Sequence, residues 1–379
     1  GIAGLTAAAA LTRAGWQVTV LERATGFGEV GAGLAITRNG MAALGAIDAA
    51  SAVRAVGRPA YAGGIRDRAD RWLLRLPEPA GDDSINRFWG VHRQRLHSAL
   101  MQSAGDAELI NASRVVAVQP GDPLGERATV TWRDCSGGTH QRESDLLVAA
   151  DGARSTVRAR LFPHRLRYSG WSCWRAVTST GVDDRGFVQF WGPHAEFGIL
   201  PIGDAQQYWY GYFRHPAKSP FDDELAAAAE RFACWAPAVR AAVAATERPH
   251  LIRHDVHHLP GGIPTYVIGR TVVIGDAAHA MLPTMGQGAN TSLEDGVCVG
   301  RIIGRPVADG GDIAQALIDY DRARRPRCRS IAHQSLLTAR LGAHLPGGWP
   351  QHLRNAVLRA TPPGLAATGA RALRWRPPG

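Results

Sequence analysis

The stretch Thr271-Val-Val-Ile-Gly-Asp-Ala-Ala-His279, running on through Pro283 to Gly286-Gln-Gly-Ala-Asn290, constrains this chain more than any other. Thr271 to Ile274 is a short β-branched apolar run with turn residues behind it, the pattern of a buried parallel strand. Gly275 marks a bend, so Asp276 stands at the carboxyl end of the strand, where open α/β sheets bind their ligands. A carboxylate there can accept hydrogen bonds from polyol hydroxyls. Gly286 and Gly288 allow the backbone close to a flat ligand with amide hydrogens facing it. Gln287, Ala289 and Asn290 complete the loop, and the pattern predicts a helix opening at Asn290. Its positive end suits a ring that becomes anionic on reduction.

A second unit lies at the start. Gly1-Ile-Ala-Gly4 leads an alanine-rich helix to Ala14, then Val18-Thr-Val-Leu21 reads as a buried strand ending at Glu22 and Arg23. A tight glycine turn, a helix start and an acid about 20 residues on are the back half of a dinucleotide-binding unit. A third landmark is Leu146-Leu-Val-Ala-Ala-Asp-Gly152 with Ser155. It repeats the strand–carboxylate–glycine order, and Asp151 reads either as a cofactor-side carboxylate or as the cap of the following helix.

These three motifs resemble those of the single-component FAD-dependent aromatic hydroxylases, the monooxygenases of the para-hydroxybenzoate hydroxylase fold. The resemblance covers almost the whole chain. It implies an α/β fold: a Rossmann-like FAD-binding domain with a parallel sheet, an interleaved antiparallel-sheet substrate domain, and C-terminal helices. The expected boundaries are residues 1–60, 91–165 and 255–330 for the FAD-binding domain, 61–90 and 166–254 for the substrate domain, and 331–379 for the helical end. That family opens with a further strand and glycine ahead of the position of Gly1, so the sequence reads as one lacking its first strand.

The resemblance further implies FAD contacts at Gly1, Gly4, Glu22, Arg23, Arg93, Asp151, Asp276 and the loop Gly286, Gln287, Gly288, Ala289 and Asn290. It adds Ala35, at the end of the Val30-Gly-Ala-Gly-Leu-Ala35 flavin loop, and Val115, beside the adenine. Pro283 would shape the wall where oxygen reacts. NADH or NADPH would bind transiently as reductant, since no second nucleotide fingerprint occurs. A flavin C4a-hydroperoxide would then pass one oxygen atom from O2 to an aromatic or otherwise electron-rich small molecule.

Residues 167–253 alternate apolar and polar and are rich in tryptophan and tyrosine. This predicts an antiparallel sheet interrupted by a helix over 222–234. Alternation puts Tyr208, Tyr210 and Tyr212 on one face, with Trp209 and Phe213 on the other. Tyr208 is the candidate hydrogen-bonding residue toward substrate, although any one of these rings could equally be sheet packing.

Other classes fare less well. The net charge of +10 comes almost entirely from arginines spread along the chain, Lys218 being the only lysine. The densest group, Arg322, Arg324, Arg325, Arg327 and Arg329, reads as a solvated, ion-paired helix face rather than a nucleic-acid patch. No apolar run approaches the ~20 residues of a membrane helix. Five scattered cysteines fit a cytoplasmic protein better than a disulfide framework, and His254, His257 and His258 on one strand do not gather a metal set, so no metal is expected. A flavin-dependent halogenase remains an alternative, although Trp171-Ser-Cys-Trp174 lacks that group's Trp-x-Trp-x-Ile-Pro pattern. A non-catalytic FAD-binding protein is another.

Overall fold

The computed structural model describes residues 1–26, 32–79, 81, 84–179, 186–362 and 370–379. Val30 and Gly31 of the expected flavin loop lie outside the described residues.

The nucleotide-side layer is built around helix Ile2–Arg13, whose alanines are buried almost throughout. Short parallel strands flank it: Thr19–Leu21 pairs with Glu108–Ile110, and Leu147–Ala149 pairs with Thr271–Val273. The β-branched strand Thr271–Val273, buried at every position, is what a parallel ladder covered by helices requires. Strands Arg114–Gln119, Ala128–Arg133 and Thr139–Ser144 form their own antiparallel sheet. The run Ala128–Arg133 thus belongs to a small sheet separate from the parallel pair Leu147–Ala149 and Thr271–Val273.

The helix of the second glycine motif spans Gly288–Cys298, two residues earlier than expected at Asn290, and continues as a π-helical stretch, Val299–Gly304. It lies directly on helix Ile2–Arg13. A methyl group at Gly296 would sit 2.6 Å from Thr6 Cβ, and one at Gly300 would sit 2.5 Å from Ala10 Cβ. Small residues on both helices allow this approach, and the contact fixes the two glycine motifs relative to each other.

The second layer is a large, mostly antiparallel sheet. Its order is Ile252–His258, Arg167–Thr178, Gln206–Arg214, Ala195–Ile202, Phe187–Gly192, Arg58–Asp67, Arg87–His92 and Gly33–Thr37. One junction, Phe187–Gly192 against Arg58–Asp67, is parallel. Trp174, Trp209 and Phe213 pack from one face against Phe232, Trp235, Val239 and Val243. These last residues belong to or follow two helices, Glu224–Arg231 and Pro237–Ala244, where a single longer one was expected. The tyrosines at 208, 210 and 212 take the opposite face, as alternation requires. The C-terminal part is the long helix Ile313–Leu341 followed by Trp349–Ala360. Among the described residues no helix is long and apolar enough to cross a membrane.

Candidate active site at the junction of the two layers

Three loops converge on the first turn of helix Ile2–Arg13, which has no side-chain cap, so its leading amides are available to a ligand. The amino group of Gly1 lies 3.7 Å from Glu22 Oε2. A methyl group at Gly4 would touch Ala150 Cβ at 3.3 Å, and one at Gly275 would come within 2.8 Å of Ala3 Cβ. The Asp151 and Asp276 loops thus meet the same helix end as Glu22. Arg158, almost fully buried, locks the two loops by donating to the carbonyls of Ala277 at 2.9 Å and Asp276 at 3.3 Å.

Glu22 accepts from the Ala24 amide and its own carbonyl accepts from Ser113 N–H, which brings strand Arg114–Gln119, with half-buried Val115, to the same end. Arg23 is exposed on the turn that follows. Arg93 is also exposed, at the start of helix Arg93–Ala104, and its amide donates to Ala32 O at 2.8 Å. His97, one turn on, was not anticipated. Burial, the Gly1 ammonium and Arg93 together push its pKa down to about 4, so a neutral imidazole faces the Gly1–Glu22 corner at pH 7.

The sequence left two readings of Asp151 open, and the structure gives it the capping geometry. Its carboxylate accepts from Ser155 Oγ at 2.5 Å and from the amides of Thr156 and Val157 at 2.7 and 3.1 Å. Asp276 differs. In a run of buried neighbours its side chain alone is exposed, projecting beside Gly288, where a methyl group would lie 3.9 Å from Asp276 Oδ1. Gly286 adopts the left-handed conformation at φ 61°, and no side chain caps the helix that follows. An exposed carboxylate beside a bare helix start and side-chain-free glycines is a cradle for a polyhydroxylated, planar ligand that carries negative charge. Those are the features of FAD, and the donor set fits it.

The side chains of Gln287 and Asn290 do not point at that cradle. Asn290 accepts from Thr37 N–H at 3.0 Å and donates to the carbonyls of Ala35 at 2.9 Å and Gly286 at 3.0 Å. Gln287 accepts from Asn39 Nδ2 at 3.0 Å, and Asn39 also donates to Glu294 at 2.7 Å. These buried amides staple the glycine loop to strand Gly33–Thr37, leaving backbone amides, including that of Ala289, to meet a ligand. Replacing Gly40 with alanine would place a methyl group 2.1 Å from Asn290 Oδ1. We expect Gly40→Ala to disrupt the staple at a cost of about 1–3 kcal/mol and to weaken FAD binding roughly tenfold or more, read by fluorescence titration.

Asp295, the other acid of this helix, is fully buried. It takes Gly275 N–H at 2.8 Å, His279 Nε2 at 2.5 Å and Arg324 Nε at 2.8 Å. Arg324 also lies 2.8 Å from Glu294. The arginine group expected to be a solvated face is therefore split: Arg322 is exposed, whereas Arg324 is 1% exposed and neutralises two buried carboxylates beneath the flavin motif. His279, Asp295 and Cys328 are close enough to hold a metal ion, but the Arg324 guanidinium already serves as their cation.

On the sheet side, Tyr208 packs under the flavin-side strand: a methyl group at Gly33 would lie 2.4 Å from Tyr208 Cβ. Burial pushes its pKa up to about 12, with Arg175 opposing. Arg175 stands opposite Tyr210 in the ladder and is held firmly protonated, first by Tyr208 and also by Asp276. It is a cation at the Tyr208 end of the aromatic face that sequence patterning alone did not single out. Pro283 opens the 3₁₀ turn Pro283–Met285 and follows Leu282, which packs with Trp171, Cys173 and Tyr212 of the same face. Strand Gly33–Thr37 and the residue before Pro283 thus both pack against the tyrosine-bearing face of the sheet.

Comparison with known proteins agrees with this geometry. The family described as "FAD binding domain" matches residues 1–335. The chain is 33% identical over 349 residues to aurachin C monooxygenase/isomerase of Stigmatella aurantiaca, covering 90% of this chain and 88% of that protein. It is 30% identical over 375 residues to 2-heptyl-3-hydroxy-4(1H)-quinolone synthase of Pseudomonas aeruginosa, covering 96% and 92%. In fold it is similar to Klebsiella pneumoniae HpxO, solved with FAD and uric acid, at a TM-score of 0.86 and 23% identity over 98% of this chain and 94% of that one. With residues 1–335 matched and relatives at this identity along nearly its full length, the chain belongs to the FAD-binding-domain family of flavin-dependent monooxygenases that act on aromatic substrates.

Proposed function

We propose that this enzyme takes reducing equivalents from NADH or NADPH and inserts one oxygen atom of O2 into a neutral bicyclic heteroaromatic ring. The observation that carries the reading is the contact of Tyr208 with Gly33, which brings the tyrosine-bearing sheet face directly against the flavin-side strand. Support for the ring class comes from the two relatives, one of them a quinolone synthase by name.

Bound FAD supplies the electron transfer and oxygen activation. The chain's own residues supply position and electrostatics. Asp276 would accept hydrogen bonds from the ribityl hydroxyls, and Glu22 would accept them from the ribose. The amides at the uncapped start of helix Gly288–Cys298 stabilise negative charge as it develops on the ring. Pro283 and Leu282 would line the site where the ring reacts, and Tyr208, its proton retained by burial, would donate a hydrogen bond to the substrate. Tight packing around Trp171, Cys173, Tyr212 and Leu282 excludes water. Five free cysteines accord with a reducing compartment, and we place the protein in the cytoplasm.

Asp276→Ala should raise the FAD dissociation constant about ten- to a hundredfold, the worth of a charge-assisted hydrogen bond. Flavin reduction by NAD(P)H should persist once FAD is saturating. Unchanged affinity would remove Asp276 from the site.

A further inference from the structure

Among the described residues, Glu196 is a buried carboxyl on the tyrosine-bearing face to which the reaction has so far given no task. It sits in strand Ala195–Ile202, paired directly with Tyr212, which in turn pairs with Cys173. Residues opposite one another in antiparallel strands point to the same side of a sheet. Glu196 therefore shares its side with Tyr210, Tyr212, Cys173 and Arg175, opposite the Trp209–Phe213 core. It is 1% exposed, and neither carboxyl oxygen has a hydrogen-bond partner. A carboxyl so placed is costly to keep unless something else supplies the partner.

The surroundings say what that partner is. Tyr210 lies flat over Gly198, where a methyl group would come within 2.3 Å of its ring, and its hydroxyl is held by Gln189 at 2.7 Å. The hydroxyl of Tyr212 is committed to His344 at 3.0 Å, with Trp171 stacked on the same imidazole at 4.2 Å. With these tyrosine hydroxyls engaged, Glu196 is the unpartnered acid at that end of an aromatic wall, beside the likewise unpartnered indole N–H of Trp191 directly opposite it in the ladder, and Arg175 is the charged group nearer Tyr208. We propose that Glu196 anchors the substrate by hydrogen bonding to a ring N–H or O–H of a neutral heteroaromatic, and that it turns away anionic rings at that position. Burial alone pushes its pKa up to about 8, so at neutral pH the group is mostly a neutral acid able to donate and accept. The inference rests on the monooxygenase reading for its substrate class.

The test uses FAD-loaded protein and the flavin absorbance change on binding three probes: 4(1H)-quinolone, its N-methyl derivative and quinoline-4-carboxylate. The wild type should bind the N–H ring about tenfold or more tightly than the N-methyl ring, and the carboxylate more weakly still. Glu196→Leu should bring the first two within about twofold, and Glu196→Gln, which keeps a donor and an acceptor, should restore most of the preference. FAD content of each variant, matched to wild type, shows that the site is intact. An undiminished preference in Glu196→Leu overturns the proposal, as does wild type that favours the carboxylate or binds none of the three. NAD(P)H oxidation by the same samples reports separately on the monooxygenase reading: its failure would sink that reading while the binding preference still judged Glu196.

Discussion

Arg324→Met should destabilise the protein by about 3–5 kcal/mol and release FAD. Removing one partner of a buried ion pair leaves uncompensated charge in a medium that solvates it poorly. Here two carboxylates depend on one guanidinium, since Asp295 and Glu294 are both wholly buried and both lie 2.8 Å from Arg324. Arg327 supports Glu294 and His279 supports Asp295, so the site is weakened rather than emptied of positive charge. Asp295 also holds the Gly275 amide, so the damage reaches the turn that projects Asp276. For a chain of this size the thermal midpoint should fall on the order of 5 °C. Arg322→Met, in an exposed pair, should shift stability by no more than ~0.5 kcal/mol. Equal behaviour of the two variants in thermal melts with bound flavin monitored would contradict the clamp.

The second large effect is a pH dependence that disappears in Glu196→Gln. In the unfolded chain this carboxyl titrates near 4.5, whereas in the folded protein burial raises it to about 8. Between those values the folded state keeps a proton that the unfolded state has released. Stability contributed by this group is therefore full below pH 4.5, declines as pH rises, and is lost by about pH 8. The difference between variant and wild type should accordingly grow with pH, up to a ceiling on the order of 5 kcal/mol. Denaturant midpoints at pH 5 and pH 9, without substrate, measure it. A gap of the same size at both pH values would mean that Glu196 finds a partner when ionised.

Local pattern located the strands and helix starts of the nucleotide-side layer. Short strands that end at Glu22, Asp151 and Asp276 were legible from local composition, although each pairs with a strand about 90 or more residues away, 19–21 with 108–110 and 147–149 with 271–273. The alternation at 208–213 likewise assigned the two faces of the sheet. What escaped notice depended on distance along the chain. Arg324 pairs with acids 29 and 30 positions away, and helix periodicity does not tell a buried cation from a solvated one. Glu196 sits in an ordinary alternating strand, and only the register against Tyr212 shows which side it takes. Gln287 and Asn290 were placed at the flavin, whereas their side chains turn to Asn39, Thr37 and Ala35; a motif names its residues without saying which of them act through the backbone. The second helix, Pro237–Ala244, escaped because its alanine-rich run shows little contrast between faces.

The central claim is that this junction delivers one atom of molecular oxygen to a neutral heteroaromatic ring, and product mass under ¹⁸O2 tests it most directly. With FAD, NADH or NADPH and a panel of bicyclic N-heteroaromatics including 4(1H)-quinolone, at least one ring should gain a single heavy oxygen atom. Reductant consumed with all the oxygen recovered as peroxide for every ring, or label arriving from water instead, would contradict it.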